Sequence, residues 1–222
     1  MTGDVVHIFR PGHGDSLANL RLECAAVTDP HRRFFAGWSK FYESTPLFAR
    51  LLQGQQDEAL RRLAPAREER VLDLGCGTGR ALLLVPGAVG ADMSVEMLRS
   101  APPGRAACAR AEALPFRTAT FDAALCTNSF HHYPDPLSTL REIRRVLRPG
   151  GRAVLVDPNL DHALARLTIY GGEALVFGMS VHLHSAHEWL ALCTDAGFAR
   201  ATVEPLSALA LGPVSLCIEA RA

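Results

Sequence analysis

Two acids and three glycines carry the first chemical signal in this chain. In VLDLGCGTGR, residues 71–80, Asp73 stands two positions ahead of Gly75, and Gly75, Gly77 and Gly79 alternate directly behind a short apolar run. A glycine bend between a strand and a helix lets backbone amides approach a ligand closely. The bend does not spell the dinucleotide fingerprint G-x-G-x-x-G, because its third position is Arg80 and Gly79 comes one residue early. Nor does it carry the G-K-S/T of a phosphate loop. A carboxylate beside the bend repels a pyrophosphate and attracts an ammonium group. Taken alone, the glycines also fit a tight strand–helix turn with no ligand.

Asp92 follows seventeen positions after Gly75, near the spacing of about 20 at which an acid meets a ribose in doubly wound folds. It reads either as an acceptor for both ribose hydroxyls or as a helix cap, a role for which Ser94 competes. Together Asp73 and Asp92 ask for a nucleoside joined to a cationic amino-acid portion, without phosphate. S-adenosylmethionine has that shape. His131 and His132 follow the apolar run FDAALCT, where a parallel sheet presents its ligand-binding edge, and either imidazole suits a general base. The alternative is one packed histidine and one bonded to a neighbouring carbonyl. His182 and His184, in VHLHSAHEW, are candidates for substrate contact. With His187 they match no metal-ligand spacing, and Ser185 with Glu188 reads as a capping box opening the next helix, so no metal is expected.

The elements that must position these groups are legible in outline. Residues 1–30 have no assignable pattern. From 31 to 63 the spacing is helical: Phe34, Phe35, Trp38, Phe41 and Tyr42 form one stripe, and a second run follows Pro46. That stripe forms either an aromatic wall for a substrate, with Trp38 and Tyr42 foremost, or the buried face of a helix. From residue 70, short apolar runs at 71–74, 88–91, 105–109, 121–127 and 152–157 alternate with helical stretches, and 198–204 and 213–220 follow as two consecutive strands. Asp135 with Pro136 opens one helix and Pro149-Gly150-Gly151 closes it. The pattern predicts an α/β fold: a doubly wound, mostly parallel seven-stranded sheet with helices on both faces, a C-terminal antiparallel hairpin and an N-terminal helical cap. Residues 1–63 are expected to be an arm and cap of the same domain, and 64–222 its core, with a lid insertion at about 158–184.

Composition narrows the partners. The 222 residues are 48% apolar and 21% charged, enough for a core and too mixed for a disordered chain. Lys+Arg 23 balances Asp+Glu 23, so no basic footprint for nucleic acid exists. The longest apolar stretch, 81–91, is too short and broken to span a bilayer, and no signal peptide is apparent at the N-terminus. The six cysteines form no CxxC pair and read as reduced core residues of a cytoplasmic protein. The expected partner is a small-molecule substrate, and a homodimer is left open.

Taken in order, VLDLGCGTGR, VGADMSVEML, AEALPF, FDAALCTNSFHHYPDP and LREIRRVLRPGG resemble the Rossmann-like S-adenosylmethionine-dependent methyltransferases, in particular the branch of ubiquinone and menaquinone C-methyltransferases. These motifs cover roughly 70–157, with a weaker echo in SAHEWLALCTDAGF. The resemblance implies that Asp73 and the turn Gly75, Cys76, Gly77 and Gly79 hold the methionine portion and that Asp92 takes the ribose. It further implies Met93 against one adenine face and the backbone of Ala111 at the adenine edge. Asn128 would lie near the sulfonium, with Phe130 and His131 bordering the substrate. Two departures stand out, and one is that Pro86-Gly87 cuts short the helix after the glycine turn, leaving twelve residues between Gly79 and Asp92. Relatives commonly begin the AEALPF motif with an aspartate that accepts from the adenine amino group, where this chain has Arg110, a donor only. Glu112 is the residue placed to compensate. The implied activity is in-line methyl transfer to a small apolar or aromatic molecule. Alternatives are a protein that binds the donor without transferring its methyl group, and a nicotinamide-dependent oxidoreductase, which the broken fingerprint and Asp73 disfavour.

Overall fold

The computed structural model describes residues 6–7, 21–22, 46–176, 180–206 and 214–222. The predicted aromatic stripe with Trp38 and Tyr42, and most of the N-terminal arm, lie outside them. Val6–His7 pairs with Arg21–Leu22 as a two-residue antiparallel ladder.

Seven strands form the main sheet: β1 (Val71–Leu74), β2 (Ala88–Asp92), β3 (Ala106–Cys108), β4 (Phe121–Thr127), β5 (Leu147–Pro158), β6 (Arg200–Leu206) and β7 (Ser215–Arg221). Their order across the sheet is β3-β2-β1-β4-β5-β7-β6. The first five pair in parallel, and β7 runs antiparallel between β5 and β6. The predicted sheet and hairpin are therefore present. Strand order reverses between β1 and β4, and open parallel sheets bind ligands outside the carboxyl ends of their strands at such a reversal. Asp73 and the glycine bend leave β1 there, and Asn128 leaves β4 beside them.

Local sequence explains why the chain turns where it does. All four residues of β1 are buried, as a strand covered on both faces requires. Helix α1 (Pro46–Leu63) packs on β4 and β5. Helices α2 (Arg80–Leu84) and α3 (Val95–Leu98) are short, and the Ser94 side chain caps α3 by accepting from the Met97 amide. Helix α4 (Pro136–Val146) starts as predicted, with Asp135 accepting from the Ser138 amide and Pro136 at its first position. Residues 163–166 form helix α5, which widens into a π-helix over Leu167–Val176, within the segment expected as a lid. Helix α6 (Ala186–Asp195) opens with the predicted Ser185–Glu188 capping box. Its Trp189 is fully buried and, with Leu140, Ile143, Phe121 and Leu155, fills the core on one face of the sheet.

The short helix after the glycine turn is as the sequence predicts, whereas the tie that closes its gap and a disulfide depend on residues far apart in the chain. Pro86-Gly87 cuts α2 short, and the gap is tied down by Arg105, whose guanidinium donates to the carbonyls of Leu82, Val85, Pro86 and Ala88. Gly87 is required because a Cβ there would lie 2.1 Å from the Glu69 carbonyl oxygen. The cysteines need a correction. Cys76, Cys126, Cys193 and Cys217 are free and buried, but Cys108 is disulfide-bonded. Sequence spacing constrains a disulfide weakly, because the bond depends on Cβ proximity in the fold. The argument for a reducing compartment therefore does not extend to Cys108. Among the described residues no helix is long and apolar enough to cross a membrane.

The Arg105 tie yields a stability prediction. Arg105→Met keeps the apolar stem and deletes the donors, leaving several part-buried carbonyls without partners. We expect a loss of about 2 kcal/mol, at the scale of a charge-assisted hydrogen bond. A lower urea midpoint at unchanged m-value checks it; an unchanged midpoint would show that the turn holds without the tie.

Candidate functional site

The bend after β1 runs from Gly75 to Gly79, and its residues are buried or half-buried. Gly75 has φ +70°, and a Cβ there would lie 2.2 Å from the Ser129 hydroxyl and 2.7 Å from that of Tyr133, so only glycine fits. The Gly75 amide donates to the Ala91 carbonyl at 2.8 Å, and the Gly79 amide to that of Cys76 at 2.8 Å. The Cys76 side chain is buried, its sulfur filling the space that Gly90 leaves on β2. The bend thus packs between β2 and the turn that follows β4.

Asp73 is the anomaly of the site. It is 1% exposed, and among the described residues neither carboxylate oxygen has a hydrogen-bond partner. Buried polar groups are satisfied in the great majority of cases, and a buried carboxylate without a partner is costly. Burial pushes its pKa up to about 8, and the nearby charge of Asp92 adds to the rise. A cation that donates hydrogen bonds would satisfy both oxygens, which is what the ammonium end of the donor offers. The donor set therefore fits the cofactor.

Asp92 ends β2 and is half-buried, with one oxygen accepting from the Ser94 amide at 2.8 Å and the other from the Gly77 amide at 2.8 Å. It therefore steadies the glycine bend, while Ser94 takes the cap. Each oxygen keeps a further lone pair for a hydroxyl donor. Burial raises the Asp92 pKa, and the hydrogen bonds from Ser94 and Gly77 oppose that rise. Met93 is half-buried and follows directly. On the neighbouring loop Ala111 is 6% exposed. Glu112 lies 3.5 Å from the exposed Arg110 through one oxygen, while its Oε1 is buried without a partner. An acceptor is thus left over at the position where relatives carry one two residues earlier.

The turn after β4 carries the remaining candidates. Asn128 adopts φ +52°, a left-handed conformation that asparagine tolerates better than most residues, and its amide donates to the Val156 carbonyl at 2.8 Å. Phe130, expected to border the substrate, is 1% exposed instead and stacks against Trp189 with ring centroids 4.5 Å apart. It is an anchor of the core, because the turn folds back over α6. His131 is 2% exposed, with its Nδ1 2.9 Å from an Asp157 oxygen, and its ring lies 4.0 Å from that of His132. The His182 amide donates to the His131 carbonyl at 2.7 Å. His184 packs against Trp189 and Phe130, and burial pushes its pKa down.

The structure thus gathers Asp73, the glycine bend, Asp92, Asn128 and the two adjacent histidines at one rim, with His182 and His184 behind the last. Sequence reasoning missed Asp157 and Arg80. Asp157 was counted only as the end of an apolar strand; a lone acid closing such a run was the available signal. Arg80 donates to Gln56 at 2.9 Å and to Asp57 at 2.7 Å, docking α1 onto the end of the bend.

Asp73 makes the stability of the ligand-free protein depend on pH. Its folded pKa lies above the unfolded value of about 4, so the folded state keeps a proton that the unfolded chain has lost. Wild-type stability, measured against Asp73→Asn, is expected to fall as pH rises from about 4 and to level off above about 8. Parallel thermal melts check this, and curves that keep a constant offset across the range would overturn the burial argument.

Comparison with known proteins agrees with this geometry. Residues 72–155 match the family described as methyltransferase domain. The chain is 35% identical over 152 residues to a protein named O-methyltransferase cnsE from Penicillium expansum, covering 62% of this chain and 54% of that protein. The chain spans about half the length of the curated relatives it matches. Among solved structures it is similar to an S-adenosylmethionine-dependent methyltransferase from Thermotoga maritima, at 24% identity and a TM-score of 0.71, covering 85% of this chain and 98% of that one. It also resembles the [4+2]-cyclase SpnF, at 23% identity and a TM-score of 0.59, covering 74% and 78%. The chain has the fold of the class I S-adenosylmethionine-dependent methyltransferases among those solved structures, and the family match lies over its first five strands.

Proposed function

We propose that this chain, a methyltransferase domain on the class I fold, moves a methyl group from S-adenosylmethionine to a small apolar or aromatic acceptor. The observation that carries the reading is the Asp73 carboxylate, buried at the strand-order reversal with both oxygens unsatisfied. Asp73 takes the ammonium, the bend from Gly75 to Gly79 with Cys76 holds the amino-acid portion, and Asp92 receives the ribose hydroxyls. Met93 covers an adenine face, the Ala111 backbone meets the adenine edge, and Glu112 Oε1 accepts from the adenine amino group in place of the absent aspartate.

The cofactor supplies a methyl group already activated on a sulfonium. The protein's own task is then to orient the acceptor, keep water out and take up a proton where the acceptor carries one. Orientation alone lowers such a barrier by roughly 7–11 kcal/mol, and a placed base adds about 10²–10⁴-fold. Asn128 stands at the reacting end, and His131 or His132 is the base. His182 and His184 belong to the acceptor side. The resemblance to quinone C-methyltransferases points to carbon as the methylated atom. The relative named an O-methyltransferase points to oxygen, and we take oxygen. Donor binding without transfer is the second reading. Arg110 favours it, and a fold shared with a cyclase accommodates it.

Calorimetry with S-adenosylhomocysteine tests the donor site. Saturable binding is expected, weakened about tenfold or more in Asp92→Ala, since one decade is 1.4 kcal/mol. Because Asp73 must ionise to meet the ammonium, binding at pH 7 is expected to release about one proton, read from the heat in buffers of different ionisation enthalpy. An absence of binding overturns the reading. Binding without formation of S-adenosylhomocysteine from S-adenosylmethionine and any acceptor leaves the second.

A further inference from the structure

Away from the donor rim, the sheet gathers four arginines around one small cavity. Strand β7 pairs with β5 on one side and β6 on the other, in a register that sets Arg152 opposite Arg221 and Arg221 opposite Arg200. Residues directly opposite in a ladder share a face, so these three side chains form one row across three strands. Val154, Glu219 and Thr202 form the next row on that face. Arg62, in the last turn of α1, donates to Glu204 at 2.8 Å and to Glu219 at 3.2 Å. The cavity measures about 280 Å³, and the four arginines, Thr202 and Glu219 line it. Arg152 precedes Asp157 by five residues on β5, which sets the row about 16 Å along the strand from the donor rim.

The four guanidinium groups are not engaged alike. Arg62 is closed by Glu58, Glu204 and Glu219, and Arg152 by Glu69 and the carbonyls of Leu63 and Ala64. Arg200 and Arg221 are exposed, and among the described residues neither side chain has a hydrogen bond or an ion pair. Like charges directly opposite on paired strands, with Cβ atoms about 5 Å apart, destabilise the ladder. Helix α1 packs on β4 and β5, and Arg200, Thr202 and Glu204 of β6 stay exposed on this face. On the other face Ala201 and Val203 pack against the core around Trp189.

Two facing guanidinium forks without acids match the oxygens of a phosphoryl group, which accepts parallel N–H donors and neutralises both charges. The Thr202 hydroxyl offers a further donor beside them. Arg62 matches the charge of Glu219 within the same cavity. Its volume falls just below the roughly 300–1,000 Å³ of ordinary small-molecule pockets, which suits a small anion. The balanced charge of the chain gives no wider basic surface for a nucleic-acid backbone to follow.

We propose that Arg200, Arg221 and Thr202 form a binding site for a phosphoryl group, carried by inorganic phosphate or by a small phosphomonoester. The site is separate from the donor site and stands whether or not the methyltransferase reading does, because that reading uses none of these residues. The phosphoryl oxygens bridge the two outer arginines, while Arg62 and Arg152 keep their own acids and bound the cavity.

Calorimetry on the full chain with inorganic phosphate, glycerol phosphate and acetate tests the site. Saturable binding of one phosphate is expected, weakening as salt is raised and falling about tenfold or more in Arg200→Gln and in Arg221→Gln. Comparable binding of glycerol phosphate supports the site with a phosphomonoester as occupant, and binding of the inorganic ion alone supports it with free phosphate. Arg117→Gln, at an exposed arginine outside the cavity, should bind as the wild type does. Without ligand both cavity variants should melt no lower than the wild type, since each removes one of two facing like charges. Phosphate should raise the melting temperature of the wild type alone. Saturating phosphate should leave affinity for S-adenosylhomocysteine within about twofold. Competition between the two would place the anion at the donor rim and overturn the proposal. Failure of both phosphates to bind, acetate binding as well as phosphate, or unchanged affinity in both variants would do the same. A lower melting temperature in both variants would show the two arginines already serving the fold, and would also overturn it.

Discussion

An unsatisfied carboxylate is the constraint around which this structure is arranged. Asp73 sits in a strand whose neighbours are all buried, so its side chain has no route to water, and no described donor reaches it. Burying such a group costs several kcal/mol if it is charged and drives it toward the protonated form if it is not. The fold accepts the second outcome, since the carboxyl titrates near 8. A cationic ligand reverses the balance, because its charge and donors replace the missing solvent.

The surrounding elements read as consequences of keeping that position dry and its neighbours fixed. Gly75 has to lack a side chain because Ser129 and Tyr133 fill the space above it. Ser129 in turn links the end of β1 to β4, its hydroxyl 3.4 Å from the Leu74 carbonyl oxygen and 3.2 Å from the Cys126 sulfur. Phe130 anchors the same turn by stacking on Trp189, so the aromatic core and the ligand rim share one short segment. Arg105 holds the truncated α2 from behind, and Arg80 fastens α1 to the front through Gln56 and Asp57. Rigidity at the bend therefore comes from packing on three sides, and not from the glycines themselves.

Features governed by neighbours in the chain were legible before the structure. VLDL reads as a buried strand, Asp135-Pro136 as a helix start and Ser185–Glu188 as a capping box, because each is decided within four residues. The mostly parallel sheet and its closing hairpin followed from the alternation of short apolar runs with helical stretches and from the two consecutive strands at the end. What the sequence left unread depends on residues far apart along the chain. Phe130 looked like a substrate contact because it follows β4, yet its environment is set by Trp189 on α6. Asp157 looked like the end of an apolar run, and only the fold brings His131 to it across 26 positions. The Cys108 disulfide belongs to the same class, since no local pattern announces it.

Charge is also distributed with a direction that composition conceals. Lys+Arg and Asp+Glu cancel over the whole chain. Away from the ligand rim, acids are closed by arginines: Glu69 by Arg152, and Glu58 by Arg61 and Arg62, which hold each carboxyl near a pKa of about 2. At the carboxyl rim, among the described residues, Asp73 meets no arginine, Asp92 accepts from backbone amides, and Asp157 meets a histidine. Ion pairs at the first location serve the fold and need nothing from outside. Acids without cationic side chains at the second leave a site whose electrostatics are completed by whatever positive charge enters, be it an ammonium, a sulfonium or a proton taken up by an imidazole. A sheet buried on both faces tolerates that deficit because its apolar core supplies the stability that the rim withholds.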